Sequence, residues 1–303
     1  MRLAALLALL ASAAAAQEPP RFPSEVRLVE LDVAVTRDGR PVKGLSAADF
    51  DVRDAGAPRT VELVARARSR VHAILLLDTS ESVAGDKLRQ LVTAARAFVE
   101  GLPPDDAVTL LAFSYRVRLL GEIGRPPAQA AAALGRLSAG GTTAIFDAVA
   151  AATVLADTRR GRPVVLVFSD GDDRLSWLRE RDAIETARQA DVVVHAVGFT
   201  PPVTRRRDPF LRLPNERLEL AGSPGFLSRL AEATGGRLWF ADAPEGLSAA
   251  FLSVLEELRE RYLLRFEPAG VPVGGWHPVE VRVRGKGLAV RCRPGYQAEP
   301  PRP

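Results

Sequence analysis

The sequence predicts an α/β fold: a doubly wound, mostly parallel sheet, flanked by N- and C-terminal β segments that form a small β module. Three observations predict it. Short, fully apolar runs such as Ala73–Leu77 and Val164–Phe168 read as strands buried on both faces. Between them lie stretches with apolar residues at helical spacing, so that strand and helix alternate. At both ends this rhythm gives way to two-fold alternation, as in Val29, Leu31, Val33 and Val35, and again in Val279, Val281 and Val283.

Composition is compatible with that fold and excludes several others. The chain has 303 residues, 47% hydrophobic and 26% charged, which suffices for one large domain or two modest ones and excludes wholesale disorder. A single cysteine excludes a disulfide-stapled scaffold. The net charge is +4, only Lys43, Lys87 and Lys286 are lysines, and no dense basic block carries interleaved aromatics. Nucleic acid is therefore not the expected partner.

The elements follow in order. Residues 1–16, MRLAALLALLASAAAA, have an early cation, a short apolar run and a small-residue ending. They read as a signal peptide cleaved after Ala16, so the protein is expected to be secreted or periplasmic. Neither this run nor any later one is long enough to be a transmembrane segment. Residues 17–68 form the N-terminal β segment. Asp38-Gly39 is its hairpin turn, Ser46 with Asp49 a capped turn, and Phe50–Arg53 and Thr60–Val64 further strands.

Residues 69–262 form the α/β domain. The strand Ala73–Leu77 leads to a helix carrying Leu88, Leu91, Val92, Ala95, Phe98 and Val99, which Gly101 stops. Strands Ala107–Phe113 and Val117–Ile123 follow, then helices Ala128–Leu137 and Ile145–Ala156 around a Gly140-Gly141 break. Next come strand Val164–Phe168, helix Trp177–Ala190, strand Val192–Val197, and a helix opened by Ser223-Pro224 and closed by Gly235-Gly236. A short strand, Arg237–Phe240, precedes a last helix with Leu247, Phe251, Val254, Leu255 and Leu258 on one stripe. Residues 263–303 are the C-terminal β segment and tail. There Cys292 shares a strand face with Leu288 and Val290, as a small buried hydrophobe would. The two β ends are expected to meet in one small sheet beside the α/β domain.

In open α/β sheets, ligands bind beyond the carboxyl ends of the strands. Asp78-Thr79-Ser80-Glu81-Ser82 follows the first buried strand, Thr142-Thr143 follows the glycine break, and Ser169-Asp170-Gly171-Asp172-Asp173 follows Phe168. These loops can share one sheet edge, where they offer carboxylates and hydroxyls without histidine or cysteine. All-oxygen donors suit a hard divalent cation such as Mg²⁺. Two carboxylates would roughly balance its charge, and neutral hydroxyls would leave it electrophilic toward a partner's carboxylate. Asp-x-Ser-x-Ser alone is a weak signal. Its place after a buried strand, with two matching loops downstream, makes it specific. The competing reading is that Ser80 and Ser82 cap the next helix and Asp170-Gly171 is a plain turn.

With these three loops the chain resembles the von Willebrand factor type A domains and their metal-ion-dependent adhesion site, over roughly Val71 to Arg261. The resemblance implies their Rossmann-like fold. It also implies metal ligation by Asp78, Ser80 and Ser82 of the first loop, Thr143 of the second and Asp170 of the third. Thr143 is preferred to Thr142 because Thr-Ala-Ile-Phe-Asp-Ala fits the family spacing. The flanks resemble secreted, acidobacterial-type relatives of these domains, through Asp38-Gly39-Arg40-Pro41-Val42-Lys43-Gly44-Leu45 with Asp49-Phe50, through Tyr262-Leu263-Leu264, and through Arg293-Pro294-Gly295-Tyr296.

Other residues carry less. Glu81, Asp172 and Asp173 add charge near the expected ion and read as solvated loop residues, while Asp147 reads as a support for the Thr143 loop. His72, His195 and His277 are far apart and read as structural. No nucleophile elbow, phosphate-binding loop or zinc spacing occurs. Arg205-Arg206-Arg207 reads as a solvated insertion, the sharper alternative being an arm that attracts an acidic partner. The expected function is an exported, non-enzymatic binding module that grips an Asp or Glu of a protein partner through Mg²⁺, Mn²⁺ or Ca²⁺. The alternatives are a structural or assembly protein in which the metal only stabilises the fold and, behind it, a metal-dependent hydrolase.

Overall fold

The computed structural model describes residues 28–64, 70–156, 162–190, 192–199, 225–241, 246–268 and 275–298. The expected signal peptide, the Ser223-Pro224 helix start and the Arg205–Arg207 segment lie outside them. None of the helices among the described residues is long and apolar enough to cross a membrane.

The central sheet contains β6 (Val71–Asp78), β7 (Ala107–Phe113), β8 (Val117–Leu119), β9 (Arg162–Ser169), β10 (Val193–Phe199) and β11 (Leu238–Ala241). Their order is β11-β10-β9-β6-β7-β8, parallel except for β8, which runs antiparallel to β7. Helices α1 (Asp86–Glu100), α2 (Pro127–Ala133) and α6 (Leu247–Glu260) cover one face; α3 (Ile145–Ala156), α4 (Glu180–Gln189) and α5 (Gly225–Thr234) cover the other. Strand β6 explains why its sequence is apolar from Ala73 to Leu77. Ala73, Leu75 and Leu77 pack under Leu91, Phe98 and Phe251, while Ile74 and Leu76 pack under Ile145, Val149 and Leu230. Burial on both faces leaves no position for a polar residue between His72, whose ring is bonded to Thr109, and the strand end at Asp78.

Three expected elements are shorter than their apolar content suggests. The helix expected over Ala128–Leu137 ends at Ala133 and passes into a 3-10 turn over Leu134–Arg136. The strand expected over Val117–Ile123 stops at Leu119, because Gly121 and Gly124 adopt φ of 104° and 70° and turn the chain. The helix expected from Trp177 begins at Glu180, because the Trp177 and Leu178 amides are bonded to the Asp147 carboxylate.

The two ends of the chain do meet, in two sheets instead of one. In the first, β1 (Val29–Arg37) lies between β12 (Tyr262–Phe266) and β14 (Leu288–Arg291), with β2 (Arg40–Pro41) also on β1 and β5 (Glu62–Val64) on β12. In the second, β3 (Phe50–Asp54) lies between β4 (Ala57–Arg59) and β13 (Trp276–Val283), and β15 (Gly295–Gln297) pairs with β13. Each strand has one apolar face, and a single sheet would leave that face wet. Two sheets cover each other, enclosing Leu31, Val33, Val52, Tyr262, Leu264 and Phe266. Cys292 packs at the edge of this core, half-buried, and burial pushes its thiol up to about 11.

A buried ionic cluster joins the two units. Arg261, fully buried between α6 and β12, donates to Asp32 of β1, to Glu257 of α6 at 3.0 Å and to the Gly235 carbonyl at 2.9 Å. Arg162 and Arg291 bring second cations to Asp32 and Glu257, at 3.1 and 2.7 Å. Burial alone would raise both carboxyls, but Arg261 and Arg162 hold Asp32, and His195 with Arg261 and Arg291 holds Glu257, below the usual carboxylate range. Gly235, at φ 74°, closes α5 directly against β-module backbone: a Cβ there would lie 2.2 Å from the Cys292 carbonyl carbon.

Candidate functional site

Asp78 is the last residue of β6, where the continuous apolar burial of the strand ends and a carboxylate faces the loops beyond. Its side chain is itself fully buried. Oδ1 accepts the Ser80 amide at 2.8 Å, and Oδ2 accepts the Ser169 hydroxyl at 2.6 Å. Among the described residues no ion pair involves Asp78. Burial raises its carboxyl above the usual range, against the hydrogen bonds of Ser169 and Ser80, and the charge of Asp170 adds to the rise. A carboxylate held in low dielectric by neutral donors is the arrangement a cation would relieve.

The other expected residues are drawn to the same edge. Ser80 is buried, Ser82 is exposed, and their hydroxyl oxygens lie 3.1 Å apart. Thr143 is buried whereas Thr142 is exposed. Asp170 is half-buried just beyond β9, with its Oδ1 accepting the Asp172 amide at 3.2 Å. Backbone bonds knit the loops together. The Glu81 amide donates to the Gly141 carbonyl, Gly140 to Thr79, Ala144 to Ser114, and Arg174 and Leu175 to the Thr143 carbonyl. Gly141 has φ 85°, and a Cβ there would come within 2.6 Å of the Tyr115 ring. The glycine break therefore lets the second loop close on the end of β7.

The surrounding carboxylates are engaged elsewhere. Asp173 accepts the Ile145 amide at 2.9 Å and the Ser176 hydroxyl at 2.5 Å. Ser176 in turn accepts the Phe146 and Asp147 amides. Asp147 accepts the Trp177 and Leu178 amides at 3.0 and 2.9 Å. The third loop thus caps the N-terminus of α3, and α3 holds the loop in return. Asp173, expected as a solvated loop residue, is instead a helix cap. Asp172 pairs with Arg174 at 2.7 Å, and Glu81 is exposed.

Sequence reasoning missed Ser169 and Ser176. Ser169 had a usable signal: it ends the strand beside β6, one step past the Leu77–Phe168 pair, and so must meet Asp78. Ser176 had no signal for its role at α3, because the amides it accepts lie 29 and 30 residues away on another element. The three histidines are dispersed and buried: His72 bonds Thr109 at 2.7 Å, His195 accepts the Arg237 amide at 3.1 Å, and His277 sits beside Tyr296. No group of three or more His, Cys, Asp or Glu side chains is arranged around a metal position among the described residues. The expected donor set differs in kind, with two carboxylates and three hydroxyls.

Comparison with known proteins agrees with this architecture. Residues 73–172 match the family model of the von Willebrand factor type A domain. Among solved structures, the chain is similar to a von Willebrand factor type A protein from Catenulispora acidiphila. The TM-score is 0.53 at 14% identity, covering 91% of this chain and 74% of that one. It is also similar to proximal thread matrix protein 1 from the mussel byssus, described with a zinc-occupied MIDAS motif. There the TM-score is 0.52 at 14% identity, covering 69% of this chain and 50% of that one. No curated protein matches the chain.

Proposed function

Taking residues 73–172 as a von Willebrand factor type A domain, we propose that the protein is an exported binding module holding a divalent cation at the edge of its central sheet. Asp78, Ser80, Ser82, Thr143 and Asp170 would hold the ion, which would supply a Lewis-acidic position for an Asp or Glu of a partner protein. The observation that carries this reading is the buried Asp78 carboxylate, held only by neutral donors among the described residues, at the point where three loops converge. The mussel protein with zinc in its MIDAS motif supports it by analogy of fold.

A hydrolase reading is less favoured by the same geometry. Asp172 and Asp173, the carboxylates available as a base, are committed to Arg174 and to the α3 cap. Titration calorimetry with Mg²⁺, Mn²⁺ and Ca²⁺, comparing wild type with Asp78→Ala and Thr143→Ala, tests the site. Binding by wild type that both variants lose supports it; equal binding by all three removes it. Retained partner binding in Asp78→Ala would leave the ion a structural role only.

A further inference from the structure

The rim of the site carries apolar side chains that ion binding does not use. Trp177 is 94% exposed, Leu175 51%, Leu178 38% and Tyr115 50%. A tryptophan left almost wholly in water forgoes the burial its large apolar surface would gain, and aromatic groups presented this way are enriched at interfaces. These four are placed by the strands on either side of β6. Tyr115 follows β7, with its ring against Gly141 of the second loop. Leu175, Trp177 and Leu178 follow β9, where the Leu175 amide is bonded to the Thr143 carbonyl at 3.0 Å.

The loop that carries them is tied down. Asp147 takes the amides of Trp177 and Leu178, and Asp173 takes the Ser176 hydroxyl. A backbone already held in place costs little further ordering entropy when a partner docks. Cations lie on the same rim: the Arg116 guanidinium lies 4.5 Å from the Tyr115 ring centre, and Arg174 is largely exposed beside Asp172. An apolar shoulder on each side of a carboxylate-binding position, with arginines at its margin, complements an acidic residue set among apolar ones.

We infer that Tyr115, Leu175, Trp177 and Leu178 select the partner. The segment recognised is a protein loop or strand in which the carboxylate is flanked within a few residues by aromatic or branched aliphatic side chains. The inference rests on the metal-site reading above and adds the specificity surface around it. An anionic lipid surface fits less well, because it would bring many charges against a rim that carries Glu81 and Asp172, whereas a single carboxylate reaches the cation.

The test uses nine-residue peptides displayed on phage, with a central Asp and random flanks, panned on the purified chain in Mn²⁺. Wild type is expected to enrich aromatic and leucine-type flanks. An enriched peptide should bind Trp177→Ser and Leu175→Ser at least tenfold more weakly, with Tm unchanged, and lose all binding in chelator. Absence of apolar enrichment on wild type overturns the inference. So does undiminished binding to both variants with chelator sensitivity intact, which leaves the metal site standing. Binding that ignores chelator overturns the metal-site reading and the inference with it. Sedimentation with phosphatidylserine vesicles that Trp177→Ser abolishes overturns it in favour of a membrane role.

Discussion

The Asp173 carboxylate accepts the Ile145 amide at 2.9 Å, so the loop after one strand caps the helix that begins in another loop. The first turn of α3 has amides without intrahelical partners, and Asp173 and Ser176 between them take three of those, from Ile145, Phe146 and Asp147. The position of Thr143, two residues before Ile145, is thereby coupled to the position of Asp170, three residues before Asp173. Asp173→Ala should cost about 1–2 kcal/mol, the usual cost of a lost cap. That is a fall in Tm of about 2–8 °C for a chain of this size. Ser176→Ala should cost less, and differential scanning calorimetry of the two variants checks the order.

A bound ion should also stabilise the fold by mass action. At a cation concentration 100 times its Kd, unfolding should cost about 2.7 kcal/mol more than in chelator. Asp78→Asn, which keeps the shape but removes the charge, should melt at the same temperature with and without Mg²⁺. A cation-dependent Tm in that variant would place the ion elsewhere.

Gly141 should tolerate no side chain. At φ 85° an alanine costs ~1 kcal/mol in backbone strain, and its Cβ would press on the Tyr115 ring. Gly141→Ala should therefore destabilise the chain in urea unfolding by more than strain alone. Adding Tyr115→Ala should restore part of the loss, a non-additivity expected only for residues in contact.

Arg261 ties α6 to the β module through Asp32 and Glu257. Arg261→Met fills much of the space but leaves two buried carboxylates short of a cation, with Arg162 and Arg291 as their remaining partners. The expected loss is about 3–5 kcal/mol, as for other buried pairs broken on one side. Denaturant titration measures it, and a loss under 1 kcal/mol would mean that Arg162 and Arg291 suffice.

His195 gives the chain an acid sensitivity. Burial holds its imidazole down to about 3, with Glu257 and Asp32 pulling it up and Arg261 and Arg291 pushing it down. The unfolded chain takes up this proton near pH 6.5, whereas the folded chain does so only near 3. Stability therefore falls as pH falls through that window, by up to about 1.4 kcal/mol per pH unit. His195→Asn keeps an acceptor for the Arg237 amide and should remove this slope between pH 6 and 4. Unfolding free energies measured at pH 7, 5 and 4 test it.

Much of the candidate site was legible because its residues sit at predictable places. Asp78 follows an unbroken apolar strand, and Thr143 and Asp170 follow a glycine break and a second such strand; a change from apolar to polar at a strand end is a local signal. The extent of Val117–Leu119 and the start of α4 were not legible. Leu120 and Ile123 are apolar enough to continue a strand, and Trp177 to begin a helix, until glycine dihedrals and a distant Asp147 decide otherwise.

The sequence by itself determined the α/β core, because burial on one or two faces writes a period of 3.6 or 2, or an unbroken run, into neighbouring residues. It also allowed three oxygen-rich loops to share one edge, since in such a sheet the strand ends and the starts of the following helices lie on the same side. Tertiary structure alone decided that the chain's ends pair as two facing sheets and that Asp32 meets Arg261, 229 residues away. It alone decided that Asp173 caps α3 and that Trp177 is held out in water. Those outcomes depend on hydrogen bonds and ion pairs between residues far apart in sequence, and such pairings leave no periodic trace along a single chain.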